Sequence, residues 1–187
     1  MKHACFSLIV PVFSAALAVA ADPAPQAPLE TVTFYVAGVE CAACVFAVND
    51  SVRRLSGIDE VIDGQNNASY INVTFDPTKV SAHQIAQAVT DAFPLHGAPY
   101  VPTLRLTVSG YAEGGNPAKV AEVFAKWRDW VEVEAVKPGK GELVVKFKPI
   151  QTDPASVKAS GWSHGTMREA LAKALPAGAK VELAKED

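Results

Sequence analysis

The 187-residue sequence contains only three cysteines, and it lacks several common functional motifs. There is no Gly-rich phosphate loop, no G-x-S-x-G nucleophile motif and no recognisable pair of catalytic carboxylates, so we predict no enzymatic activity. No basic cluster or arginine-rich face stands out and the net charge is −3, which argues against a nucleic-acid partner. Three cysteines are also too few for the disulfide framework of a small secreted domain.

Long apolar runs are absent except at the N-terminus. A short basic start precedes an almost wholly apolar stretch at residues 5–17, and small residues follow at 18–21. The run is shorter than the roughly 20 residues that a membrane-spanning helix needs, and its small-residue end is typical of a cleavage site. We therefore expect residues 1–21 to be a signal peptide, with an uncleaved anchor as the alternative. The mature protein would be periplasmic or otherwise exported, and it would keep only Cys41 and Cys44.

The remaining sequence predicts an α+β fold, after a Pro/Ala-rich leader at residues 22–28. Alternating β-branched and aromatic residues indicate strands, and apolar residues at helical spacing indicate helices. In chain order, the predicted elements are a strand at 30–36, a helix at 42–55, strands at 58–62 and 70–75, a helix from Ser81 to Phe93 and a weak strand at 98–101. This βαββαβ order is that of the ferredoxin-like sandwich.

The same order repeats at an offset of 72 residues. Residues 31–38 align with 103–110, and one offset also pairs Val73 and Phe75 with Val145 and Phe147. One offset that serves two separate strands indicates an internal repeat. We predict two tandem ferredoxin-like sandwiches, at residues 29–101 and 103–187, with about ten residues inserted in the second between positions 149 and 165.

Cys41 and Cys44 form a Cys-x-x-Cys pair between the first predicted strand and helix. Two cysteines three positions apart can direct both sulfurs at one centre, and the positive potential of a helix N-terminus favours thiolate over thiol. Thiolates select soft ions such as copper(I) and, by the same argument, mercury(II). Structural zinc needs four ligands, and no second cysteine pair or His-x-x-x-His motif completes such a set. The pattern predicts a two-ligand site for one soft metal ion.

The segment from Gly38 to Cys44 resembles the heavy-metal-associated domain, a family of copper chaperones, metal-pumping ATPase modules and periplasmic mercury-binding proteins. Gly38 and both cysteines match its Gly-Met-Thr/His-Cys-x-x-Cys pattern, whereas Val39 and Glu40 depart from it. Residues 29–101 resemble the family over their whole length, and 103–187 resemble it only in pattern. At the equivalent positions the second copy has Glu113 and Asn116, so it is a degenerate repeat without metal ligands.

The resemblance implies a metallochaperone that passes its ion by ligand exchange to a membrane transporter or another metal-accepting protein. It also places His96 near the cysteine loop, as a third ligand or as a solvated surface residue. Phe93 stands where family members have an aromatic that shields the site, although it could equally be core. Glu40 could offer an oxygen ligand or be a solvated loop charge. His83 and His164 have no neighbours in sequence that would recruit them to a site.

Two other functions fit the cysteine pair. A Cys-x-x-Cys at a helix start in an exported chain is also the motif of a thiol–disulfide oxidoreductase, and residues 100–104 resemble the Pro-Thr strand of thioredoxin-like folds. No Trp precedes Cys41, however, and the predicted hairpin after the first helix does not fit the thioredoxin order. The second alternative is a structural or docking protein whose two cysteines form a disulfide with no redox or metal-binding function.

Overall fold

The computed structural model describes residues 28–64, 69–150 and 161–186. The predicted signal peptide, most of the leader and most of the segment inserted in the second repeat lie outside the described residues. None of the helices within those three ranges has the length and apolar character needed to cross a bilayer.

Each half of the chain folds in the predicted order. The first half has β1 (Glu30–Ala37), α1 (Ala42–Arg53), β2 (Ile58–Asp63), β3 (Tyr70–Phe75) and α2 (Ala82–Asp91). The second has β4 (Val101–Val108), α3 (Asn116–Ala125), β5 (Val131–Lys137), β6 (Glu142–Phe147), α4 (His164–Ala174) and β7 (Val181–Leu183). A capping box stabilises the start of α2, because the Ser81 hydroxyl accepts from the Gln84 N–H while the Gln84 side chain accepts from the Ser81 N–H.

All the strands described join one antiparallel sheet in the order β2-β3-β1-β4-β6-β5, with β7 also paired to β4. The first half therefore reads β4-β1-β3-β2 and the second β7-β4-β6-β5, which is the ferredoxin-like strand order in both cases. The prediction of two tandem βαββαβ sandwiches in an α+β fold is confirmed.

Strand β4 belongs to both halves. The separate strands predicted at 98–101 and 103–110 are one continuous strand, which pairs with β1 through Ala37 and Val101 and with β7 through Val108 and Val181. Its other edge pairs with β6. The predicted weak strand is thus the beginning of a longer one, and the domain limits 29–101 and 103–187 stay a prediction.

The hydrophobic core follows from the alternation of side chains along the strands. In β1, Val32, Phe34 and Val36 are buried on one face, and in β4 the same holds for Leu104 and Leu106. Buried residues of all four helices join these strands in a single cluster. The two halves therefore share one core across the common sheet.

His83 and His164, for which the sequence shows no neighbours that would recruit them to a site, are buried. His83 Nδ1 accepts a hydrogen bond from the Trp162 N–H at 3.2 Å, so its Nε2–H donates to the Lys148 carbonyl at 2.7 Å. His164 is the first residue of α4, and its Nε2 lies 2.6 Å from a Glu30 carboxylate oxygen. Both contacts join residues that are far apart in sequence, which is why local pattern could not reveal them.

Trp162 is completely buried at the end of the inserted segment. Its ring meets Phe147 edge-on, with 5.7 Å between centroids, and Phe147 in turn lies 5.5 Å from the His83 ring. Since His83 belongs to the first half and Phe147 to the second, Trp162 packs at the contact between them.

The sheet face opposite the helices is covered at β1 by the C-terminal residues. The Tyr35 hydroxyl donates to the Glu186 carboxylate at 2.7 Å, and the Asn72 side chain donates to the Glu186 carbonyl at 2.8 Å. The Arg105 guanidinium lies 3.7 Å from the centre of the Tyr35 ring, a cation–π contact. Burial and the Glu186 hydrogen bond raise the pKa of Tyr35 to about 12, so this hydroxyl remains a donor.

Substituting Trp162→Ala should lower the free energy of unfolding by about 3–5 kcal/mol, because it removes a large, fully buried side chain. The measurement is urea-induced unfolding followed by circular dichroism. Trp130→Ala is the matched control, since Trp130 is 44% exposed, and it should cost less than about 1 kcal/mol. Equal losses in the two variants would contradict the packing role of Trp162.

The protein should lose stability as the pH falls below about 6.5. Burial lowers the pKa of both His83 and His164 from the ordinary value of 6.5, so the unfolded chain binds these protons at a higher pH than the folded chain does. The stabilisation is complete above pH 6.5 and is lost as the pH drops toward the folded-state pKa values. Unfolding free energies between pH 7.5 and 5 should therefore decline, and His83→Gln should flatten the decline. Ring NMR signals of His83 that titrate at or above pH 6.5 would contradict this.

Candidate metal site

The pairing of Ala37 with Val101 brings two loops together at one end of the shared sheet. One loop leads from β1 to α1 and carries the cysteines. The other leads from α2 to β4 and carries His96. Gly38 begins the first loop at φ 89°, a left-handed conformation that glycine adopts without the steric cost of a side chain.

Cys41 is the N-cap of α1, and Cys44 lies in its first turn. The Cys41 backbone is extended, at φ −152° and ψ 165°, and its Sγ accepts a hydrogen bond from the Cys44 N–H at 3.4 Å. A sulfur thus takes the place of the usual Ser, Thr, Asp or Asn oxygen at a helix cap. The two Sγ atoms are 3.1 Å apart and both thiols are free. Cys44 is buried, whereas Cys41 is partly exposed.

His96 completes a group of three potential ligands. Its Nε2 lies 3.5 Å from the Cys41 Sγ, and the three ligand atoms all lie within 4.8 Å of one another. Across residues 28–64, 69–150 and 161–186, this is the only cluster of three or more His, Cys, Asp or Glu side chains with such spacing. Glu40 is outside it.

The Cys44 thiol ionises readily. Hydrogen bonding from the Glu40 backbone is the main cause that lowers the pKa of Cys44, and smaller contributions come from the Tyr100 hydroxyl and from Cys41. Burial opposes these effects, but the resulting pKa is about 6 instead of the ordinary 9.0. At neutral pH the buried sulfur is therefore mainly a thiolate.

Tyr100 is a residue of this site that the sequence did not single out. Its side chain is buried, and its hydroxyl has no hydrogen bond of good geometry within the described residues. It nevertheless interacts with Cys44, because burial first and the Cys44 contact second raise the pKa of Tyr100. The hydroxyl therefore keeps its proton and can donate to the thiolate. Tyr100 immediately precedes β4, and only the pairing of that strand with β1 reveals its place.

The aromatic residues beside the site are exposed. Phe93, which the sequence predicts to shield the metal or to join the core, is 74% exposed and does not join the core. Phe46, on α1, is 70% exposed. Val39, by contrast, is partly buried and packs against the core.

The second half has a polar arrangement at the equivalent place. Asn116 begins α3 and its side chain donates to the Gly110 carbonyl at 2.8 Å, so it supports the backbone of the preceding loop. Glu113 lies in the same loop, and its backbone N–H also donates to the Gly110 carbonyl. At the positions equivalent to the two cysteines, these residues therefore stabilise the loop backbone and provide no sulfur ligand.

Known proteins resemble parts of this chain. The mercuric transport protein periplasmic component of Shigella flexneri is 39% identical over 79 residues, which span 42% of this chain and 86% of that protein. A protein of Arabidopsis thaliana with the name "Probable copper-transporting ATPase HMA5" is 38% identical over 66 residues, or 35% of this chain and 6% of that protein. The solved water-soluble region of the P-type ATPase CopA from Bacillus subtilis has 18% identity and a TM-score of 0.38, covering 85% of this chain and 93% of that one. No family model matches the chain.

Substituting Tyr100→Phe should raise the pKa of Cys44 above about 6, because the hydroxyl that stabilises the thiolate is removed while the ring is kept. Thiolate absorbance at 240 nm, followed against pH in the reduced protein, measures this change. Tyr111→Phe removes a hydroxyl outside the site and should leave the titration unchanged. An unaltered Cys44 pKa in Tyr100→Phe would show that the hydroxyl does not contact the sulfur.

Proposed function

Because the chain belongs to the heavy-metal-associated domain family, we propose that it binds one soft metal ion, copper(I) or mercury(II), through Cys41 and Cys44 and passes the ion to an acceptor protein. The observation that supports this most directly is the pair of free thiols 3.1 Å apart at the start of α1, one of them with a lowered pKa.

The chemistry of the pair suits a soft cation. Thiolates are the protein ligands that copper(I) and related ions prefer, and Cys44 is already mainly ionised at pH 7. Both sulfurs bind the ion as thiolates, so metal binding releases protons. The polar loop of the second half offers no such ligands, so we expect one ion per chain.

The two sulfurs differ in accessibility, and this difference sets the order in which an acceptor can replace them as ligands. Cys41 is partly exposed, whereas Cys44 is buried. A thiolate of the acceptor can therefore approach the ion from the Cys41 side. Of the two cysteines, it would displace Cys41 first, while Cys44 holds the ion until the acceptor supplies a second ligand.

The names of the relatives support a proposal for the cellular location and the acceptor protein. The similar proteins are called a periplasmic component of mercuric transport and a copper-transporting ATPase. We accordingly propose a periplasmic or otherwise exported location after signal-peptide cleavage, with a membrane metal transporter as the acceptor.

The second half is best assigned a stabilising role. It contributes strands to the common sheet, shares one hydrophobic core with the first half and contacts His83 through Trp162. These contacts stabilise the pairing of β1 with β4, at which the cysteine loop and the His96 loop meet.

A thiol–disulfide oxidoreductase is less consistent with this site. Its attacking sulfur must be an accessible thiolate, but here the sulfur with the lowered pKa is the buried Cys44. The ferredoxin-like strand order also differs from the thioredoxin arrangement. We therefore propose a carrier that has no catalytic activity.

The reduced protein should bind one equivalent of copper(I) or mercury(II), and Cys41→Ala/Cys44→Ala should abolish binding. The measurement is a metal titration under anaerobic conditions, followed by the thiolate-to-metal absorbance and by the metal content after desalting. Metal bound by the double alanine variant at one equivalent would disprove the cysteine site.

A matched control changes the equivalent positions of the second half. Glu113→Ala/Asn116→Ala should leave the stoichiometry and affinity of metal binding unchanged. An insulin-reduction assay on the wild-type protein should show no turnover, and turnover that depends on Cys41 would favour the oxidoreductase instead.

A further inference from the structure

We infer that His96 is a third metal ligand and that it adds affinity for copper(I) but not for mercury(II). The inference rests on the proposed function, since it adds a ligand to the Cys41 and Cys44 site. It starts from the approach of the His96 Nε2 to 3.5 Å from the Cys41 Sγ.

The local fold holds His96 in this position. Residues 94–97 form a turn in which the Gly97 N–H donates to the Pro94 carbonyl at 3.4 Å, and Gly97 has a φ of 85°. His96 is the third residue of this turn, which is closed by a backbone conformation that glycine favours. Within the described residues, the imidazole has the Cys41 sulfur as its polar contact.

The spacing of the sulfurs fits a trigonal site better than a linear one. With metal–sulfur bonds of about 2.3 Å, a linear ion would need the sulfurs about 4.6 Å apart, and a trigonal ion would need them about 4.0 Å apart. The observed separation is 3.1 Å. The trigonal arrangement therefore needs the smaller opening of the first turn of α1, and it leaves a coordination position on the side where His96 lies.

The ligand set discriminates between the two ions. Mercury(II) is satisfied by two thiolates in a line, so a third, neutral ligand adds little to its binding. Copper(I) accepts three ligands, and imidazole is among the ligands that copper binds well. A set of two sulfurs and one imidazole nitrogen therefore adds affinity for copper(I) mainly.

The third ligand also affects transfer. His96 is exposed and neutral as a ligand, so it is the group that an incoming thiolate displaces most easily. Its departure would leave the ion on Cys41 and Cys44 with an open position for the acceptor. His96 would thus add affinity in the free protein without closing the route to the partner.

The experiment measures both ions in the wild-type protein, in His96→Ala and in Phe93→Ala. Phe93→Ala is the matched control, because it truncates an exposed side chain of the same loop that has no ligand atom. Copper(I) affinity is obtained by competition with a chromogenic chelator such as bicinchoninate, and mercury(II) affinity by competition with dithiothreitol. X-ray absorption at the copper edge gives the number and type of ligands.

We expect His96→Ala to weaken copper(I) binding by about tenfold or more, as even groups that only support a metal ligand typically contribute that much. The copper should change from three ligands, one of them nitrogen, to two. Mercury(II) affinity should change by less than about twofold, and Phe93→Ala should match the wild type for both ions.

Three outcomes would overturn the inference. Equal copper(I) affinity and coordination in the wild type and in His96→Ala would remove His96 from the site. An equal loss of affinity for both ions would show that His96 is a ligand but does not discriminate between them. A wild-type protein that binds neither ion would overturn the proposed function itself, and this failure is distinct because it does not depend on the His96 variant.

Discussion

The backbone pairing between Ala37 and Val101 is the contact on which the rest of the molecule depends. On one side of it, β1 ends and the cysteine loop begins. On the other, the loop that carries His96 and Tyr100 ends and β4 begins. The same strand then continues into the second half, where it pairs with β6 and β7. One strand thus fixes the site and joins the halves.

The site combines a buried sulfur with an accessible one. Cys44 is held in the first turn of α1, buried beside Tyr100, where hydrogen bonds offset the cost of placing a negative charge in the interior. Cys41 caps the same helix from a partly exposed position. Binding needs a ligand that holds the ion, and release needs a ligand that an acceptor can displace. The buried Cys44 suits the first role, and the partly exposed Cys41 suits the second.

The repeat shows which features a fold needs and which a function needs. Strands, core residues and the glycine that opens the loop are present in both halves, as Gly38 and Gly110 illustrate by their positive φ angles. The cysteines are replaced in the second half by residues that bond to the loop backbone. Because the second half binds no ion in the proposed function, the side chains of its loop can serve only to stabilise the loop backbone.

The sequence was enough to predict the element order, the repeat and the cysteine pair, because these follow from periodicity and spacing. It was not enough to predict the continuity of β4, since Pro102 lies inside it and prolines usually mark the end of a strand. The burial of His83 depends on Trp162, 79 residues away, and the place of Tyr100 depends on strand pairing. The exposure of Phe93 was also missed, because α2 ends at Asp91, two residues before Phe93, and helical spacing does not show where a helix ends.

The shared strand has a further consequence for how copies of the protein meet. A lone βαββαβ unit would present β4 as an edge, with unpaired backbone groups ready to extend the sheet into another chain. Here β6 occupies that edge, and the main strand order of the described sheet ends at β2 and β5. These two strands carry acidic side chains such as Asp59, Glu60, Glu132 and Glu134, and like charges repel a second copy. The fusion of two units thus protects against intermolecular sheet growth beside the cysteines.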